Sequence, residues 1–296
     1  MLLINIEAIL AICIFALVPS AIKYTIANPY TIGIFRLILA SLIVGLFWRK
    51  KIDVRHIFSL HGLKIILLGI IFFCHWITYF FAIKIGGASA CVLGMSTYGV
   101  QLIIYGAFFL NYKLKWINYV ALLLVVGGVI LLLPEISLQN NFSLGLFWGL
   151  LSASFYSVLP ILHQKMIKDF NHETRIFSQF FFAMILFLFL LPKTDWNLNL
   201  KDWGALLYLA IFGTLIAHSL WAKVTSRLPT YISGIIYYAI TPMSLTVSHF
   251  AFGEVLNKKQ IMGAIIIITA AIFNVWSSRG LSRENKYDTS KNIIAK

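Results

Sequence analysis

Two histidines stand in stretches that are otherwise fit for hydrocarbon: His75 in "FFCHWITYF" (72–80) and His218 in "LIAHSLW" (215–221). A neutral imidazole donates one hydrogen bond and accepts another, and its unperturbed pKa of about 6.5 suits proton coupling. Each histidine therefore reads either as a substrate or proton site, or as a neutral structural group bonded to a serine or a carbonyl on the next helix. Arg36, in "NPYTIGIFRLILASL" (28–42), is a third polar intruder. It could attract an anion, close a gate through a salt bridge, or snorkel to the nearer interface. Two histidines without a carboxylate or cysteine cluster do not make a metal site. Cys13, Cys74 and Cys91 all lie in apolar runs and form no CxxC pair. No metal and no cofactor is expected.

The elements that must carry these groups follow from composition. The chain of 296 residues is 60% hydrophobic and only 11% charged, well outside the range of soluble domains. Its net charge of +14 is spread over short loops between apolar runs, so topology explains it better than nucleic acid does. A bilayer core takes roughly 20 apolar residues per helix. Ten candidate spans meet that rule, near 3–22, 30–48, 63–83, 88–110, 116–134, 144–163, 176–192, 203–222, 230–252 and 260–276. The fold class is thus an all-α integral membrane protein. The first span lacks a basic leader and a cleavage site and is expected to be retained. Lys and Arg concentrate around 49–64, 113–115, 165–175 and 223–227 and in the polar tail 277–296. Both termini are accordingly expected in the cytoplasm, with the chain in the cytoplasmic (inner) membrane.

The second half repeats the first in register. His75 and His218 differ by 143 positions (218 − 75 = 143), and the same shift brings Asn28 onto Asn171, Thr31 onto Thr174 and Arg36 onto Gln179. Five helices is an odd number, so the second set must enter the membrane upside down. The expected units are 1–134 and 144–276, two inverted five-helix repeats. At 1.5 Å rise per residue, His75 lies about 18 Å and His218 about 22 Å from the start of its helix, at mirrored depths.

Prolines mark candidate hinges. Pro19 and Pro160 fall at nearly matching places in the two repeats, and Pro242 interrupts the ninth span. Each removes a backbone hydrogen bond and crowds the preceding turn; the plain alternative is a simple kink. Mid-membrane Trp76, Tyr79, Tyr98, Tyr105, Tyr156, Trp221, Tyr237 and Tyr238 are candidate cavity walls, and would equally well pack as core. Glu254 is expected to pair with Lys258 or Lys259 at a helix end, and Glu7 to stay wet near the inner surface.

The stretch 212–272 resembles the second repeat of EamA-type transporters of the drug/metabolite transporter superfamily. Gly213-Thr214, Trp221, Pro242, Gly253-Glu254 and Gly263 match the family pattern in order, and Arg36 stands at the arginine position of its second helix. The chain departs from the pattern at Gly99, where the mate of Pro242 would be, at Asn111, the mate of Glu254, and at Phe15-Ala16, where the family has Trp-Gly. The resemblance implies ten helices, a central cavity lined by helices 1, 3, 4, 6, 8 and 9, and alternating-access transport of small metabolites, amino acids or related compounds. Arg36, His75, Gln179 and His218 are the polar cavity candidates.

Two other readings compete. A lipid-modifying membrane enzyme would need an acid/base pair or an activated nucleophile, yet no Asp lies in any expected span and neither HExxH nor GxSxG occurs. A non-transporting membrane scaffold would be favoured by a cavity filled with side chains. The expected partners are a small-molecule substrate and the bilayer, not nucleic acid; a homodimer stays open.

Overall fold

The computed structural model describes residues 2–59, 62–110, 116–132, 139–228 and 230–278, and among these there is no strand. Helix α1 spans Leu2–Tyr24, α2 Pro29–Phe47, α3 Val54–Ile57, α4 Leu63–Met95, α5 Tyr98–Leu110 and α6 Trp116–Leu132. Then follow α7 Asn141–Lys165, α8 His172–Leu188, α9 Leu200–Tyr208, a π-helical segment Leu209–Ile216, α10 Ala217–Arg227, α11 Thr230–Tyr238, α12 Ile240–Phe252 and α13 Lys258–Ser278. Among the described residues, five runs are long and apolar enough to cross a bilayer: Ile6–Tyr24, Pro29–Phe47, Leu63–Met95, Asn141–Lys165 and Leu200–Arg227. Residues 279–296 of the tail and Asn111 lie outside the described residues.

The helix starts are written locally. Asn28 and Asn171 adopt extended backbone and accept from the amides of Thr31 (2.9 Å) and Thr174 (2.8 Å), which satisfies one orphan donor of the first turn in α2 and α8. Pro29 occupies the first turn of α2, where its missing N–H costs nothing. Gly253, at φ 65°, ends α12 in the left-handed conformation that glycine adopts freely.

The expected third and fourth spans meet without a loop. The chain turns at Gly87 alone, with φ 86° and ψ 170°, a conformation that a side chain would resist. The break expected at 84–87 is thus one residue wide, and a second one falls at Ser96–Thr97, before α5. The ninth span is likewise broken, at Ala239. There Pro242 has no N–H to offer the carbonyl of Tyr238, which weakens the helix at this point. Pro19 and Pro160 remain inside α1 and α7.

Helix α4 lies closely along α7. A Cβ on Gly86 would reach 2.5 Å from Gly145 Cα, and one on Gly94 would reach 2.8 Å from Gly149 Cα. Glycines four or eight residues apart on the two helices let the backbones touch, the small-residue packing of membrane helices. Helices α2 and α8 lie side by side, α6 packs on α13, and α1 runs between α4, α10 and α12.

A buried aromatic cavity around Arg36 and two histidines

The polar groups of α2, α4 and α10 converge on one cavity of about 30 Å³, room for a water or two. Arg36, His75, Trp76, Tyr79, Tyr156, His218 and Tyr237 line it together with Phe15, Val18, Met95 and Ile240. Helix α2 therefore contributes to the wall through Arg36, a candidate from the sequence, although the lining helices implied by the resemblance did not include it. A smaller cavity of about 10 Å³ continues past Tyr156 and His218 to Pro160, His163, Gln179 and Trp221.

Arg36 is 1% exposed and does not snorkel. Its guanidinium carbon lies 4.1 Å from the Trp76 ring centroid, and Nε donates to Thr214 Oγ1 at 2.9 Å. The Nη2 group donates to the Gly213 carbonyl at 3.4 Å. Gly213 and Thr214 lie in the π-helical segment, where the shifted hydrogen-bond register releases carbonyls that an α-helix would occupy. The Thr214 hydroxyl in turn donates to Leu209 O at 2.8 Å. Nη1 of Arg36 is buried without a hydrogen-bond partner among the described residues.

His75 is fixed by Ser152 of α7. The Ser152 hydroxyl donates to the His75 backbone carbonyl at 3.0 Å and lies 2.8 Å from Nδ1, while the Ser152 carbonyl lies 3.2 Å from the same nitrogen. A carbonyl only accepts, so Nδ1 carries the proton and a neutral His75 presents a bare Nε2. The bond to a serine is thus present, and the other side of the ring lines the cavity. His218 sits edge-on to Phe15 (4.9 Å) and Phe72 (4.8 Å). Tyr156 stands between the two histidines, stacked on His75 at 4.3 Å and edge-on to His218 at 5.9 Å.

Other expected wall residues lie elsewhere. Tyr98 is one layer back, 4.2 Å from Tyr237 and 5.2 Å from Tyr156 by ring centroids. Tyr238 points into a separate apolar cluster with Leu93, Val100 and Leu146, because adjacent residues on a helix face about 100° apart. Tyr105 meets Ser154 at 2.5 Å, away from the cavity. Gln179 accepts from or donates to nothing at Arg36; its Oε1 lies 2.7 Å from His163 Nε2. His163 was missed in the sequence because it falls at the edge of its apolar run, although its place one turn after Pro160 is a signal.

Ion pairs tie α1 to the second half on both sides of the cavity. Glu7 pairs with Lys223 of α10, and Lys23 pairs with Glu254 beyond α12. Phe15 and Val18, which line the cavity, lie between them on α1. Glu254 thus pairs with Lys23 and not with Lys258 or Lys259, and Glu7 is partnered. Glu254 also accepts from Ser248 Oγ (2.5 Å), the Ser89 amide (2.8 Å) and hydroxyl, and the Ala88 amide (3.3 Å). It caps the helical stretch that restarts after Gly87. Burial pushes this carboxyl up, but the bonds from Lys23, Ser248 and Ser89 outweigh it and hold it at about 2.

The model of the EamA-like transporter family matches residues 2–133 and 143–276. The chain belongs to the EamA-like transporter family. Transporters of this kind move small molecules through membranes, so this is a multi-pass membrane transporter and not an enzyme. Among curated relatives, a Rickettsia bellii protein named S-adenosylmethionine uptake transporter is 24% identical over 72% of either chain. Its Rickettsia felis namesake is 24% identical over 75% of this transporter and 74% of its own length. An uncharacterized transporter of Clostridium kluyveri is 21% identical over 67% of each. A crystal structure sharing 15% identity superposes with a TM-score of 0.67, covering 93% of this chain and 98% of that one, and shows the same fold.

Proposed function

We propose that this transporter carries a small metabolite through the cytoplasmic membrane by alternating access, with ten helices in two inverted repeats, 1–134 and 144–276, rocking about the Arg36–His75–His218 cavity. The observation that carries the reading is that α1 makes two ion pairs to the second half, Glu7–Lys223 and Lys23–Glu254, one on each side of the cavity-lining Phe15 and Val18, and we read them as two gates. A conduit closed on both sides is an occluded intermediate, and breaking one pair at a time admits substrate from one side at a time. The small cavity volume fits that state.

Two features support the inverted plan. The breaks at Ser96 and Ala239 are 143 positions apart (239 − 96 = 143), the same shift that relates the histidines. The mates α2 and α8 also run antiparallel, each N-terminus bonded to the loop that follows the other helix. Loop charge supports a cytoplasmic location for both termini, which makes Glu7–Lys223 the inner gate of this scheme and Lys23–Glu254 the outer one.

The named relatives make S-adenosylmethionine the first compound to test, with amino acids and related metabolites next. The experiment is counterflow in proteoliposomes guided by metabolite profiles of cells with and without the protein. Glu7→Gln and Glu254→Gln should each unbalance the two sides, altering uptake and efflux rates in opposite directions. Equal effects of both variants on both directions would count against the two-gate cycle.

A further inference from the structure

Arg36 is the one cation lining a cavity whose other described walls hold no acid. Its surroundings fix it without neutralising it. Trp76 covers one face of the guanidinium, Thr214 takes Nε–H and the Gly213 carbonyl takes Nη2, while none of the ion pairs among the described residues includes it. The buried Nη1 group has no acceptor. A buried charge is normally paired, and an unpaired donor of a charged group is the most expensive kind to leave dry.

We propose that the missing partner is the carboxylate of the transported molecule, received by Arg36 Nη1 and released when the cavity opens. The proposal rests on the transport reading above and names the substrate class of that site: a monocarboxylate. One cation with neutral neighbours balances one negative charge. A phosphomonoester, which carries more, would want a second cation, and no lysine or further arginine lines the cavity. The π-helical segment explains why the arginine holds still with its anion absent. Thr214 and Gly213 use its other nitrogens, so Nη1 alone is left to the ligand and needs no rearrangement to meet it. The aromatic walls, Trp76, Tyr79, Tyr156 and Tyr237, then take the body of the molecule.

The test uses the full chain, purified in detergent and in proteoliposomes. The probes are matched pairs that differ in the acid alone: indole-3-acetate against indole-3-acetamide, and phenylalanine against phenylalaninamide. These compete against the substrate that profiling identifies. The acid should win over its amide by roughly 10- to 150-fold, the usual range for a hydrogen bond to a charged group. Arg36→Gln should abolish that preference, and Arg36→Lys should keep part of it. If Arg36→Gln does not fold, Thr214→Val, which loosens the guanidinium while keeping the charge, should narrow the gap between acid and amide. Equal binding of acids and amides by the wild type overturns the proposal, as does an Arg36→Gln protein that keeps the preference. So does a transported metabolite with no anionic group, or protection by chloride alone with no acid preference; in these cases transport itself stands. A wild type that transports nothing overturns the transport reading, and the carboxylate site with it.

Discussion

Asn28 and Asn171 make matching sets of hydrogen bonds at opposite ends of the α2–α8 pair. Each caps its own helix with its Oδ1 and sends its Nδ2 across to the other half, Asn28 to Lys193 O at 2.9 Å and Asn171 to Lys51 O at 2.7 Å. The threonines three residues on repeat the exchange: Thr31 Oγ1 accepts from the Asp195 amide and Thr174 Oγ1 from the Asp53 amide, both at 3.0 Å. One sequence motif thus does two jobs, starting a helix and fastening it to its antiparallel neighbour.

Loss of either asparagine should therefore cost more than a cap alone. Asn28→Ala and Asn171→Ala should each destabilise the protein at the upper end of the usual cap range, about 0.5–2 kcal/mol. The sites are about 28 Å apart along a helix of this length, so the double variant should be additive. Melting in detergent would check it; a strongly non-additive double variant would mean that the two ends are coupled.

The orientation gives a second prediction. A single cysteine placed at position 28 in an otherwise cysteine-free chain should react with an impermeant thiol reagent added outside the cell, and one at position 171 should not. Labelling in the opposite sense would invert the assignment of the gates as well as that of the termini.

Glu254 predicts a pH dependence. Its carboxyl titrates at about 2 in the folded protein against about 4.3 for an ordinary glutamate, so the unfolded chain binds the proton more readily. The stabilisation it provides is fully present above about pH 4.5 and is lost as pH falls towards 2. The difference in melting midpoint between wild type and Glu254→Gln should be flat above pH 5 and shrink below it. A difference that widens in acid would contradict the network of Lys23, Ser89 and Ser248.

Much of this site was legible because a polar residue in an apolar run stands out. Arg36, His75 and His218 were found that way, and the common register carried Asn28 and Asn171. What was not legible depended on distance or on rotation. Lys23 and Glu254 are 231 positions apart, and the sequence offered nearer lysines for the same carboxylate. Tyr237 and Tyr238 are neighbours in sequence, and only the packing of α11 decides which one faces the cavity. Gly213-Thr214 was recognisable as a motif, but its use in holding Arg36 required the π-helical turn, which no residue pattern announces.

The fixed tautomer of His75 predicts unequal effects from two amide replacements. Asparagine places its amide near Nδ1 and can keep the bonds to Ser152, while it withdraws the acceptor at Nε2. Glutamine reaches the Nε2 position and abandons Ser152. His75→Asn should melt like the wild type yet bind substrate more weakly, by roughly 2- to 13-fold for one lost hydrogen bond. His75→Gln should lose stability and keep more of the affinity. Competition binding together with melting separates the two; the reverse pattern would mean that Nδ1 and not Nε2 faces the ligand.

Tyr156 carries the sharpest conflict between stability and function. Its ring is packed between His75 and His218 and is 3% exposed, yet its hydroxyl has no partner among the described residues. A buried hydroxyl left unpaired costs about 1–3 kcal/mol, a penalty that Tyr156→Phe removes while leaving the ring contacts in place. Without substrate, the variant should melt at a higher temperature than the wild type. With substrate, it should gain less, because the hydroxyl that lacks a partner in the closed cavity is available to the ligand in the loaded one. The expected loss of affinity is again roughly 2- to 13-fold, and it should be the same at every pH between 6 and 8, since phenylalanine removes no group that titrates there. Melting curves at increasing substrate concentration measure both effects in one experiment. A Tyr156→Phe protein that is less stable and binds normally would assign the hydroxyl to the fold and remove it from the site.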